Sequence, residues 1–131
     1  MSTPKFGELW TAEFPFEEPD VDGAKLRTVF ILGYNRTDET VAAVKVTSVD
    51  PRTCYSGQFG LYKTDTSFAK TGLHKDCKVD FQRMELLPLS AMKKRIGHLD
   101  VDGNQVAQRL MAAIKVSKYA DEIARLARTI G

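Results

Sequence analysis

The chain has 131 residues, 43% of them hydrophobic and 27% charged, which suits one domain with its own core and argues against a disordered chain. No apolar run approaches the roughly 20 residues of a membrane-spanning helix. The opening Met1-Ser2-Thr3-Pro4-Lys5 has no apolar signal core, so a cytoplasmic protein without membrane association is expected.

The net charge of +2 hides a segregation. Residues 1–40 hold four Lys/Arg against eight Asp/Glu, whereas residues 41–99 hold ten against five. The basic middle can face a polyanion or simply water.

In chain order, residues 6–14 alternate loosely between apolar and polar and predict a strand centred on Leu9 and Trp10. A Pro- and acid-rich loop follows over 15–25, with Glu17, Glu18, Asp20 and Asp22 in its 16–23 core. Arg27–Tyr34 predicts a buried strand, Asn35–Asp38 a turn, and Val41–Val49 a neighbouring strand stopped by Asp50-Pro51. Residues 51–76 read as loop, with room for a short strand over Phe59–Lys63. Cys77–Phe81 and Met84–Leu87 predict two short strands or one bent one, Pro88-Leu89-Ser90 a helical turn, and Arg95–Leu99 a last strand. From Asp102 the period changes. Val106, Leu110, Ala113 and Ile114 mark one face of a helix capped by Asp100 or Asp102. Tyr119, Ile123, Leu126 and Ile130 repeat the spacing, and Ser117 can cap a second helix. Five or six short strands followed by one or two helices predict a mainly β fold, a small barrel over about 5–100 with a helical C-terminus over about 102–130.

Several chemistries lack their residues. There is no phosphate-binding Gly-x-x-x-x-Gly-Lys, no Gly-x-Gly-x-x-Gly and no Gly-x-Ser-x-Gly. Cys54 and Cys77 form no CxxC, and His74 and His98 stand in no metal-ligand spacing. No metal and no cofactor are expected, and the thiols are expected free. Tyr55, Phe59 and Tyr62 interleave with Arg52 and Lys63, either as a stacking surface for unpaired bases or as a loop folded over its own aromatics. Trp10 can be core or a stacking platform.

Five segments in order resemble the MazF/PemK family of toxin endoribonucleases. They are Gly7-Glu8-Leu9-Trp10; Lys25-Leu26-Arg27-Thr28-Val29-Phe30-Ile31-Leu32; Val44-Lys45-Val46-Thr47-Ser48; Gly72-Leu73-His74-Lys75-Asp76-Cys77-Lys78-Val79; and Lys93-Lys94-Arg95-Ile96-Gly97-His98-Leu99. The resemblance implies an SH3-like β-barrel of the CcdB/MazF type, a homodimer, metal-independent cleavage of single-stranded RNA, and inhibition by a cognate antitoxin of a type II pair. It also implies catalytic roles for Arg27 and Thr47. Lys25, Thr28 and Ser48 beside them, with Arg52, Lys63, His74 and Arg83, are the expected RNA contacts. A guanidinium suits the extra negative charge of a phosphoryl transition state, a hydroxyl can donate to its oxygen, and an imidazole can move a proton near neutral pH. The sequence departs from the family in Thr28, where proline is usual, in the acidic loop 16–23, and in a longer tail over 116–131. An alternative is therefore a non-catalytic binding module on the same fold, such as a gyrase-poisoning relative or a decayed toxin.

Overall fold

The computed structural model describes residues 3–15, 24–100 and 105–130. Six strands form one antiparallel sheet: β1 (Glu8–Pro15), β2 (Ala24–Asn35), β3 (Thr40–Thr47), β4 (Gln58–Leu61), β5 (Cys77–Pro88) and β6 (Met92–His98). Their spatial order is β4-β5-β3-β2-β1-β6, so β4 and β6 are the edges. Two helices follow, α1 (Gln105–Lys115) and α2 (Ala120–Ile130). This is the mainly β, barrel-like architecture with a helical C-terminus that the sequence predicts. The acidic loop 16–23 and Asp102 lie outside the described residues.

The run Val29-Phe30-Ile31-Leu32 has no exposed surface because both faces of the sheet are covered. Alternation sends Phe30 and Leu32 to one face and Val29 and Ile31 to the other. The first face joins Leu9, Val44, Phe59 and Phe81 to the helical residues Val106, Leu110, Ile114 and Ile123. Phe30 sits edge-on to Phe6 and to Phe81, at 5.8 Å in each case. The second face gathers Trp10, Phe14, Val41, Leu87 and Met92. Trp10 is thus core, with its indole N–H donating to Glu8 Oε1 at 3.0 Å.

Details depart from the sequence expectation for local reasons. Cys77–Phe81 and Met84–Leu87 are one strand, bent where the β3–β5 register jumps between Val44–Met84 and Lys45–Asp80. β3 ends at Thr47, two residues early, because the Thr47 hydroxyl takes the Val49 N–H (3.2 Å) and Asp50 adopts φ +46°. β6 begins at Met92 straight after a 3₁₀ turn over Leu89–Ala91. Asp100 binds Lys70 Nζ (2.8 Å) and His98 Nε2 (3.4 Å). The helices part at Ser117, whose hydroxyl donates to Phe81 O (2.6 Å) and accepts the Tyr119 N–H (3.0 Å). That links the helical break to the bend in β5. Among the described residues, no helix is long and apolar enough to cross a membrane.

A 3₁₀ turn over Phe68–Thr71 packs on β6 through two glycines. Gly72 takes φ +75°, and a Cβ there would meet Ile96 O. A Cβ on Gly97 would collide with the backbone of Lys70 and Thr71. Gly97→Ala is expected to cost about 2 kcal/mol or more, because the obstacle is backbone and cannot swing aside. A denaturant midpoint equal to that of the wild type would contradict this close approach.

Candidate functional site

β2 and β3 pair only as far as Val29–Lys45, although β2 runs back to Ala24 and β3 runs on to Thr47. Beyond that point each strand keeps only its outer neighbour. Arg27 and Thr28 pair with Ala12 and Thr11 of β1, and Val46 and Thr47 pair with Val79 and Lys78 of β5. The strands fork, and a cleft of about 720 Å³ opens between them. Carrying the Val29–Lys45 register on by two residues sets Arg27 opposite Thr47 across the fork. Residues 72–75 and Ile96 close its other side, held there by the Gly72 and Gly97 approach.

Five of the nine residues expected at the site line this cleft: Arg27, Thr28, Thr47, Ser48 and His74. Arg27 and Thr47 are half-buried, and Ser48 and His74 lie exposed at the rim. Because the Thr47 oxygen already accepts the Val49 N–H, its own hydrogen is left to donate. Lys63 lines an adjoining hollow of about 340 Å³ that shares Ser48 and Lys75 with the cleft. Arg52 stands behind this hollow, 3.0 Å from Asp76 Oδ2 and 4.3 Å over the Tyr62 ring. Arg83 falls in the bend of β5, away from the cleft lining. Lys25 pairs with Phe14 through its backbone, and its side chain lies outside the described residues.

The aromatic loop folds over itself in part. Phe59 is buried, and Tyr62 is covered by Arg52 and donates to Pro51 O (3.2 Å). Arg109 of α1 lies 5.6 Å from the Phe59 centroid and pins Asp65 at 2.7 Å. Tyr55 remains exposed.

Sequence reasoning missed two cations, Lys45 and Lys75, and five aliphatic residues, Leu26, Val46, Val49, Leu73 and Ile96. A signal for Lys45 was present: two residues before Thr47 in a strand is the same face. Among the described residues no carboxylate lines the cleft. Asp76 comes near, but its oxygens take the Lys63 N–H (2.8 Å) and the Arg52 guanidinium. The Lys63 amide, with Arg52 beside it, holds the Asp76 carboxyl below its usual range. Cys77, in the cleft wall, has its thiol pushed up by burial and by the Asp76 charge. It is a neutral wall atom at neutral pH. Cys54 and Cys77 are both free thiols. Among the described residues, no three His, Cys, Asp or Glu side chains converge as metal ligands.

No protein-family model and no curated protein matches the sequence. The structure does match solved ones. It is similar to an endoribonuclease in complex with its cognate antitoxin, from a mycobacterial species, at 14% identity and TM-score 0.59, over 95% of this chain and 97% of that one. A second mycobacterial endoribonuclease matches at 15% identity and TM-score 0.58, over 96% and 95%. The Mycobacterium tuberculosis toxin MazF-mt6 matches at 16% identity and TM-score 0.54, over 91% and 97%. The likeness therefore extends over nearly the whole of each chain, helices included, and establishes a common fold.

The lowered Asp76 value sets a sign for pH dependence. Its stabilising contribution is present above the unfolded carboxyl value, about 3.9, and is lost as pH falls through the lower folded value. In denaturant titrations, wild type is expected to exceed Asp76→Asn in stability near pH 6, with the gap closing toward about pH 3. A gap that is the same at both ends would show that Asp76 does not anchor this loop.

Proposed function

We propose that this protein is a MazF/PemK-like toxin, a metal-independent endoribonuclease that cuts single-stranded RNA. The observation that carries the reading is the pair Arg27 and Thr47, opposed across the fork in a cleft rimmed by cations. The shared fold with toxin endoribonucleases supports it.

In this reading the ribose 2′-oxygen attacks the adjacent phosphorus. The O2′–P bond forms and the P–O5′ bond breaks, leaving a 2′,3′-cyclic phosphate and a 5′-hydroxyl. The 2′-hydroxyl gives up a proton and the departing 5′-oxygen takes one. Arg27 stabilises the charge gathering on the phosphoryl oxygens, where a fixed guanidinium is a strong donor. Thr47 donates the hydrogen that Val49 leaves available. His74 stands at the rim to carry a proton. Thr28 and Ser48 contact the backbone, and Lys63 and Arg52 continue the basic path beyond Ser48, with Lys25 and Arg83 as outlying contacts. Lys45 and Lys75 join this set on the strength of their position in the cleft. The barrel and helices act as one domain, in the cytoplasm, as a homodimer, and a cognate antitoxin restrains the activity.

The test is cleavage of a long single-stranded RNA in excess chelator. Arg27→Ala is expected to lower kcat/KM by about 100-fold, or roughly 2.7 kcal/mol. Thr47→Ala is expected to lose about 10- to 100-fold, with Thr47→Ser recovering much of it. Folded wild type that leaves the RNA whole would remove the enzyme reading and favour a binding module on the same fold.

A further inference from the structure

The two residues that flank the proposed reactive pair are large, aliphatic and exposed. Leu26, next to Arg27, is 54% exposed, and Val49, two residues past Thr47, is 68% exposed. A single exposed aliphatic residue is ordinary. Here both line one cleft, Leu26 from β2 and Val49 from the segment just after β3, together with half-buried Leu73 and Ile96. Leu26 and Arg27 point to opposite faces of β2. Both reach the cleft only because the fork opens it to both faces.

The cleft therefore combines two chemistries: the cations Arg27, Lys45 and Lys75 with the Thr47 hydroxyl, and the hydrocarbon of Leu26, Val46, Val49, Leu73 and Ile96. A nucleotide has the same division, an anionic phosphate beside a base with two apolar faces. With its phosphate between Arg27 and Thr47, a neighbouring base either meets this hydrocarbon or stays in water. Unstacked bases are commonly held on aromatic rings. Among the described residues no Phe, Tyr or Trp lines the cleft and its one aromatic ring is the His74 imidazole, so most of the apolar contact open to a base is aliphatic. We propose that Leu26 and Val49 form a clamp that grips the faces of a nucleobase flanking the scissile phosphate. This inference rests on the ribonuclease reading. A clamp on base faces makes no hydrogen bonds to base edges. It therefore demands that a base be present while tolerating which base it is.

The test compares wild type, Leu26→Ala and Val49→Ala on a short oligoribonucleotide carrying a site mapped on a long transcript. Two further oligonucleotides each lack the base on one side of the scissile phosphate. Both side chains are exposed, so truncation leaves the core intact. Each variant is expected to lose about tenfold in kcat/KM on the intact RNA, mainly through KM, as for loss of a stacking contact. On one of the two abasic RNAs the loss should vanish. Changing the base at that position should leave the loss in place. The salt dependence of cleavage should match that of wild type, because no phosphate contact is removed. Variants that cut intact RNA as well as wild type would overturn the clamp while leaving the ribonuclease reading standing, and would leave the aliphatic residues for a protein partner. A loss that persists on both abasic RNAs would overturn it equally. If wild type cuts none of these RNAs, both readings fall together.

Discussion

The parting of β2 from β3 after Val29–Lys45 is the constraint on which the site depends. A buried backbone N–H or C=O left without a partner costs about 1–3 kcal/mol. Two strands can separate in mid-sheet only where their inner edges meet water or another partner. Here each strand is secured from outside, β2 by β1 as far as Ala24 and β3 by β5 as far as Thr47. The fork stays open without becoming loose. Arg27 and Thr47 consequently sit on paired strand backbone, and their separation is set by two independent ladders.

The remaining side of the cleft is built by packing. Gly72 and Gly97 let the chain after the 3₁₀ turn lie directly on β6, which brings Leu73, His74 and Lys75 to the opening. Asp76 then ties three stretches of sequence together, through its own backbone, the Lys63 amide and the Arg52 guanidinium. The long segment between β3 and β5 is held by such polar ties together with the buried Phe59, Leu61 and Phe68.

Much of the fold was legible in the sequence because its signals are local. The four-residue run Val29–Leu32 announces a strand covered on both faces. The period change near 102 announces helices, and Ser117 marks their break. What escaped was non-local. Nothing near Asp100 indicates that Lys70 and His98 will bind it. The early end of β3 depends on a hydroxyl–amide bond that no alternation pattern contains. At the site, the family resemblance led to Arg27 and Thr47 and residue type to His74, whereas Lys75, Leu26 and Val49 were invisible until the fork showed which side chains share a cavity. Arg83, whose charge suits RNA, falls in the bend of β5 and outside the cleft lining.

The edge of the sheet at β6 has a bearing on how the molecule meets copies of itself. An edge strand is a template onto which another strand can add, and long apolar edges invite fibrous association. β6 carries Lys93, Lys94 and Arg95 in succession, with Lys93 and Arg95 leaning onto Glu13 and Glu8 of β1. Its far half is shielded where Gly97 meets the 3₁₀ turn. The opposite edge, β4, is four residues long. One margin is guarded by charge and the other by brevity, so continuous sheet growth is disfavoured from either side. Any association between copies is then left to side-chain surfaces, whose shape and chemistry can discriminate among partners in a way that open backbone cannot.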